Sequence, residues 1–338
     1  MLKPYLAKVM NFQHLSAEEA EQAMHIIMSG QASPAQIAGY LVGLRMKGET
    51  IEEILGSARA MRAHAQSVRV KAAPLLDTAG TGGDGAHTFN ISTAAAFVVA
   101  GSGRRVAKHG NRAASSRCGS ADVLDALGVR LDLTPEQVAR CIEEVGIGFL
   151  YAPNFHPAMK HAIGPRRELG QRTLFNVLGP LTNPAGATHQ LVGVYDADLV
   201  FPLAQVLREL NLGGALVVHG YGGLDELSTL GPNHVSQLVD GRVETYQLDA
   251  ADFGLRRAKP EDLQGGQPSE NAAILRAILE NRDDSPRRDV VLFNSAAAIA
   301  AQTGDFEAAL KEAEQSLSSG AALQCLTGLI AFTQQVAA

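Results

Sequence analysis

Apolar positions in the first 67 or so residues recur at helical spacing. Behind the capping-box sequence Ser16-Ala17-Glu18-Glu19, the residues Ala20, Ala23, Met24, Ile27 and Met28 fall three or four apart, the stripe of an amphipathic helix. Ser33-Pro34 supplies an N-cap and a first-turn proline for a second helix through Ile37, Leu41, Val42 and Leu44. Thr50 to Ala65 predicts a third, with Ile51, Ile54, Leu55, Ala58 and Met61 on one side. No strand-like alternation interrupts them, so this stretch reads as a small all-α unit.

From Pro74 the texture changes to short apolar runs, glycine-rich loops and helices in alternation. Leu75-Leu76-Asp77-Thr78, Arg105–Lys108, Gln190–Tyr195 and Ala215–His219 predict strands, with helices starting near Ser92 and running over about Leu199–Leu210. Thr134-Pro135-Glu136-Gln137 is another capping box with a first-turn proline. Val235–Leu238 and Val243–Leu248, joined through Asp240-Gly241, predict a β-hairpin. Asp289–Phe293 reads as a last strand before an Ala-rich helix at Ser295–Ala301. The expected class is α/β: a small N-terminal all-α helical domain over residues 1–70, and a large α/β domain over 71–338 with a mostly parallel central sheet covered by helices. The helical segment around His156–Leu169 has no strand partner nearby and is expected to join the N-terminal helices in space, along with the residues up to about 185.

Composition narrows the function. Of 338 residues, 46% are hydrophobic and 19% charged, which provides for a core and excludes a disordered chain. Asp plus Glu outnumber Lys plus Arg, 35 to 29, the wrong balance for a general nucleic-acid or anionic-membrane binder. Trp is absent, so base-stacking platforms are not expected. No apolar stretch approaches the ~20 residues of a membrane span, and the start of the chain lacks a signal-peptide core. Three scattered cysteines, Cys118, Cys141 and Cys325, suit a reducing, cytoplasmic setting better than a disulfide framework or a structural zinc site.

The sharpest local feature is Gly80-Thr81-Gly82-Gly83-Asp84-Gly85, between a short strand and a helix. Glycines there let backbone amides converge on an anion, and the helix N-terminus adds partial positive charge. No Gly-Lys-Ser/Thr follows, so a Walker loop is excluded. Gly80, Gly82 and Gly85 formally fit the dinucleotide pattern G-x-G-x-x-G, but polar residues continue through Thr88, Asn90 and Ser92, and the next strand ends in Lys108 where that fold wants an acid. A plain strand-to-helix turn would not need so many glycines. Lys108-His109-Gly110-Asn111-Arg112 leads into Ala113-Ala114-Ser115-Ser116 and reads as a second polyphosphate clamp at a strand end. Asp225-Glu226, behind a strong strand, suits Mg²⁺ bridged to substrate phosphates.

Together these motifs resemble those of the anthranilate phosphoribosyltransferases. The resemblance rests on Gly80–Asp84, Asn90–Thr93, Lys108–Ser116, Gly119–Asp122, Phe155–Met159, Arg166-Arg167-Glu168, the run Phe175–Pro184, and Asp225-Glu226. It implies a homodimer formed mainly through the helical domain, an active site in the cleft between the two domains, and transfer of the phosphoribosyl group of phosphoribosyl pyrophosphate (PRPP) to anthranilate with Mg²⁺. It leaves open an association with anthranilate synthase. Site roles follow from the resemblance. Gly80, Gly83, Asp84, Thr88, Asn90, Ile91, Ser92 and Thr93 would bind PRPP. Lys108, the loop His109 to Ser116 and Ser120 would hold phosphates. Ser92, Asp225 and Glu226 would carry the metal, with Lys108, Asp225 and Glu226 as the catalytic set. Arg166 would pair with the anthranilate carboxylate, unless Arg167 is the one that points inward, and Gly80 and Asn111 would line the amine end. His109 and His156 stand as pocket neighbours or as packing. A phosphorylase on the same architecture, using free phosphate, would not need the Asp-Glu pair. A nucleic-acid-binding relative would lack the Asn-Ile-Ser-Thr or Asp-Glu elements, and NAD binding would show as NADH fluorescence.

Overall fold

This computed structural model describes residues 1–71, 74–113 and 116–336. Seven strands form one sheet: β1 Leu75–Asp77, β2 Arg105–Gly110, β3 Ile147–Tyr151, β4 His189–Gly193, β5 Gly214–His219, β6 Asn233–Val239 and β7 Arg242–Leu248. Their spatial order is β3-β2-β1-β4-β5-β6-β7. The first five run parallel, and the β6–β7 hairpin closes one edge antiparallel. The chain builds outward from β1 in one direction through β2 and β3, then returns beside β1 as β4 and builds the other way. That reversal leaves a crevice between the ends of β1 and β4, where ligands bind in open α/β sheets.

Period-two alternation divides the core. Leu216 and Val218 of β5 join Val235 in one cluster, with the helices Ile91–Gly101, Pro286–Thr303 and Ala321–Val336. Ala215 and Val217 face the other way, with Val192 and Leu238, into a second cluster. That second cluster also contains Met24, Ile27, Leu41 and Ile54 from the first 64 residues and Ala162, Phe175 and Leu181 from further along. The helices Ala17–Met28, Pro34–Lys47 and Ile51–His64 each begin at a capping box, on Ser16, Ser33 and Thr50. A further short helix, Lys3–Met10, precedes them.

Two readings of the sequence need correction. Asp289–Phe293 is not a strand but part of the helix Pro286–Thr303, capped by Ser285 with Pro286 in its first turn. Val290 through Ala301 are buried all round, and an apolar run without a polar face has no period by which strand and helix can be told apart. Ile147–Tyr151, assigned to no element, is the edge strand β3. Among the described residues no single helix is long and apolar enough to cross a membrane; the bent pair Phe306–Ser318 and Ala321–Val336 passes on length and composition, yet its Leu317, Leu326 and Leu329 are core residues.

One buried ion pair pins the helical part. Glu53 and Lys47 lie 2.8 Å apart with their side chains almost wholly enclosed. Glu53 also accepts from the backbone N–H of Leu15 and of Thr50, both at 2.9 Å. Removing one member leaves the other charged and unpaired. Glu53→Ala is expected to cost about 3 kcal/mol or more, with Lys47→Met/Glu53→Leu recovering much of the loss. Denaturant unfolding checks this, and a change below about 1 kcal/mol in Glu53→Ala would show that the pair is not a support.

Candidate active site

A cleft of about 660 Å³ opens at the carboxyl edge of the sheet where β1 and β4 diverge. Beyond β1 the chain turns into the glycine loop, where Gly82, Gly83 and Gly85 all have positive φ, the region that favours glycine. The N–H of Thr81 reaches the carbonyl of Gly193 at the end of β4, 2.8 Å away. Two other glycines are required by close approach. A Cβ on Gly80 would lie 2.6 Å from Asp225 Oδ2, and one on Gly193 would lie 1.6 Å from the Asp225 carbonyl. The loop behind β5 can therefore lay Asp225 directly across both strand ends.

Three carboxylates converge here. Asp225 Oδ2 accepts from Gly82 N at 2.6 Å, and Asp84 Oδ2 accepts from Asp225 N at 3.4 Å. Glu226 Oε1 accepts from Ser92 N at 3.2 Å, in the first turn of the helix Ile91–Gly101. Enclosure by protein pushes the pKa of Asp225 up, and the neighbouring charges of Glu226 and Asp84 push it further. Glu226 is likewise pushed up by burial, to about 7, against the pull of Lys108. Lys108, 3% exposed, donates to the carbonyl and the hydroxyl of Thr78, each at 3.2 Å. Burial lowers its pKa, while Asp77, Glu226 and Asp225 oppose that shift.

One ammonium against three carboxylates leaves the group short of positive charge, and all its donors are oxygens, the ligand type of Mg²⁺. No cluster of three or more His, Cys, Asp or Glu is preformed to hold a metal among the described residues. This suits an ion that takes one or two carboxylates from the protein and its other ligands from water and substrate phosphate. The residues fit Mg²⁺.

Most expected residues line this one cleft, among them Gly80, Gly83, Thr88, Asn90, Ser92 and Thr93. So do Gly110, Asn111, Ala113, Ser116 and Ser120 from the β2 side. Ile91 does not: its side chain is wholly buried in the core, and its N–H is donated to Phe89 O at 2.7 Å. Ala114 and Ser115 lie outside the described residues. Arg112 reaches the cleft, but its guanidinium is tied to Asp122 and Asp125 at 2.9 and 3.0 Å, bracing the loop onto the helix Ser120–Ala126. The helix Ile91–Gly101 begins well after Gly85, unlike the direct opening of a dinucleotide fold.

The far wall comes from the segment 152–182. Arg166 lies over the Phe175 ring, 4.9 Å from its centroid, and has no carboxylate partner among the described residues. Burial lowers its pKa. Arg167, the alternative, is exposed and outside the cleft lining. His109 and His156 both line the cleft, with ring centroids 5.1 Å apart. Burial brings them down to about 4 and about 3, so both are neutral near pH 7. Each has an Nε2 without a hydrogen-bond partner among the described residues.

Three residues that the sequence reading did not select support this geometry. Asp77 and Asn183 meet beneath the β2 exit, and Arg172 stacks 4.2 Å from the Tyr195 ring centroid while its Nη2 donates to Gly83 O. The one signal in the sequence was a charged residue closing an otherwise apolar strand at Asp77.

Comparison with known proteins agrees with this arrangement. The family model for the a/b domain of a glycosyl transferase family matches residues 72–323, and that for its helical bundle domain matches residues 3–65. The anthranilate phosphoribosyltransferase of Moorella thermoacetica is 55% identical over the whole of both chains. That of Symbiobacterium thermophilum is 53% identical over all of this chain and 99% of its own. Among solved structures, anthranilate phosphoribosyltransferase from Thermus thermophilus superposes with a TM-score of 0.93 at 46% identity, covering 97% of this chain and 99% of that one. The Saccharomyces cerevisiae enzyme in complex with PRPP and Mg gives 0.91 at 31% identity, covering 99% and 98%. With glycine loop, carboxylate cluster and isolated arginine in one cleft, and relatives matching end to end, the chain belongs to the anthranilate phosphoribosyltransferase family of glycosyl transferases.

Proposed function

We propose that this chain transfers the 5-phosphoribosyl group of PRPP to the amine of anthranilate, releasing pyrophosphate and N-(5-phosphoribosyl)anthranilate, the transfer step of tryptophan biosynthesis. One observation carries the reading: a polyphosphate cradle and an unpaired, largely buried arginine face each other across a single cleft.

Breaking the anomeric bond builds negative charge on pyrophosphate and positive charge on the ribose, so fixed charges and dipoles dominate the catalysis. The amides of Gly80, Gly83 and Asp84, with the N–H of Thr93 in the first turn of the helix Ile91–Gly101 and the hydroxyls of Ser92 and Thr93, receive PRPP, while those of Thr81, Gly82 and Ser92 hold the loop and the carboxylates in place. The Thr93 hydroxyl has no partner among the described residues. Lys108, with the loop through Asn111 to Ser116 and with Ser120, holds the phosphates. Ser92, Asp225 and Glu226 hold Mg²⁺. When bound, that ion neutralises the departing pyrophosphate. Arg166 pairs with the anthranilate carboxylate, and a guanidinium shielded from water makes that contact strong. Gly80 and Asn111 face the amine. An aryl amine is already neutral at pH 7, so no side chain has to deprotonate it before attack, and the proton shed once the C–N bond has formed passes to water or to the departing pyrophosphate.

The division near residue 70 into a helical and an α/β domain, and a homodimer formed through the former, belong to the same proposal. Met10, Phe12 and Met46, between 63% and 70% exposed on the helical part, support a covered face there.

Anthranilate fluorescence followed with PRPP and Mg²⁺ tests the reaction and its two walls together. Consumption should require both additions. Asp225→Asn/Glu226→Gln should lower kcat/KM at least ~100-fold, and Arg166→Ala should raise the KM for anthranilate by roughly 10-fold or more while Arg167→Ala leaves it unchanged. No consumption by the folded chain would overturn the reading. An unaltered anthranilate KM in Arg166→Ala would move the carboxylate contact elsewhere.

A further inference from the structure

β1 is shorter than its neighbour. It pairs with β2 only at Leu75↔Arg105 and Leu76↔Val106, whereas β2 runs on beside β3 as far as Gly110. Where β1 peels away into the glycine loop, the flank of β2 toward β1 loses its ladder partner, although its backbone groups there remain buried. Buried N–H and C=O groups need partners.

Two side chains replace the missing strand. Asp77, wholly buried at the point of departure, takes His109 N–H on Oδ1 at 3.1 Å, together with its own neighbour Thr78 N–H at 2.7 Å. Its Oδ2 takes Asn183 Nδ2 at 2.7 Å, and the same amide nitrogen donates to Ala107 O at 2.8 Å. Asn183 Oδ1 in turn holds Ala185 N–H at 2.9 Å. The backbone groups on both sides of Lys108 are thereby fixed by Asp77 and Asn183, while the Lys108 ammonium is fixed by Thr78, whose N–H Asp77 also holds. All the hydrogen-bond partners of Asp77 are donors, which favours the ionised carboxylate against the upward push that burial gives its pKa. Neither Asp77 nor Asn183 is part of the cleft lining.

We propose that Asp77 and Asn183 form a positioning pair for the phosphate clamp: by completing the β1–β2 ladder with side chains they set Lys108 toward PRPP while letting the sheet open beneath it. The pair acts on the PRPP half of the site and leaves the Arg166 wall untouched. The inference rests on the phosphoribosyl transfer proposed above.

Asp77→Asn keeps the shape but turns an NH₂ toward donors. The expected result is a loss of at least ~10-fold in kcat/KM for PRPP, with the KM for anthranilate within about threefold, measured well below the Tm of the variant. Leu216→Ala, in the sheet core away from the cleft, serves as the stability control; it should lower the Tm and leave both KM values alone. If Asp77→Asn does not fold, Asn183→Ala carries the same expectation. Unchanged PRPP kinetics in the folded variant, or parallel losses for both substrates, would overturn the pair's role. No turnover by the unsubstituted chain would instead overturn the function, so the two failures are distinguishable.

Discussion

Gathering three carboxylates beside one buried lysine carries an electrostatic cost, and much of the local structure answers to it. Charges taken out of water must be paired or neutralised. Asp84, Asp225 and Glu226 are brought together by backbone donors at Gly82, Ser92 and Asp225 itself, with Lys108 the nearest fixed cation. On the function proposed above, a bound cation and a polyphosphate balance the remaining charge. Its strand order provides the crevice, and the glycines at 80 and 193 provide the close approach.

The opposite wall is built by different means. Segment 160–182 shares an apolar cluster with the N-terminal helices, through Ala162, Phe175 and Leu181, and it delivers Arg166 to the cleft. On the roles proposed above, a charged group for the leaving pyrophosphate and another for the acceptor stand on separate walls of the cleft. Arg172 bridges them, stacked on Tyr195 and donating to the glycine loop at Gly83. A reaction joining two anions gains from this separation, since each is held by its own complementary group and brought into contact by the shape of the cleft.

Much of this was legible in the sequence because the signals were local. Capping boxes at Ser16 and Thr134 and the N-cap Ser33 before Pro34 mark helix starts, and Asp240-Gly241 marks the hairpin. The glycine loop, Lys108 and Asp225-Glu226 follow strands whose ends had to face one crevice. What escaped depended on distance or on lost periodicity. The bond between Asp77 and Asn183 spans 106 residues, and neither side chain touches the cleft. The helix Pro286–Thr303 hid its first turns in an apolar run that reads equally well as a strand. Ile91 sits between two residues that line the cleft, yet the turn of the helix points it into the core. Arg166 is the arginine that the sequence favours, and the structure puts it, over Phe175, in the cleft lining with Arg167 outside.

The central claim is that the carboxylate cluster is a metal site completed by substrate. Crystals grown with PRPP and Mn²⁺, an oxygen-seeking stand-in for Mg²⁺ whose anomalous scattering locates it, test this directly. The expected result is a peak between the substrate pyrophosphate and the Asp225 and Glu226 carboxylates, weak or absent when PRPP is left out. PRPP bound in the cleft with no metal at that position, or a metal held there equally well without PRPP, would contradict it.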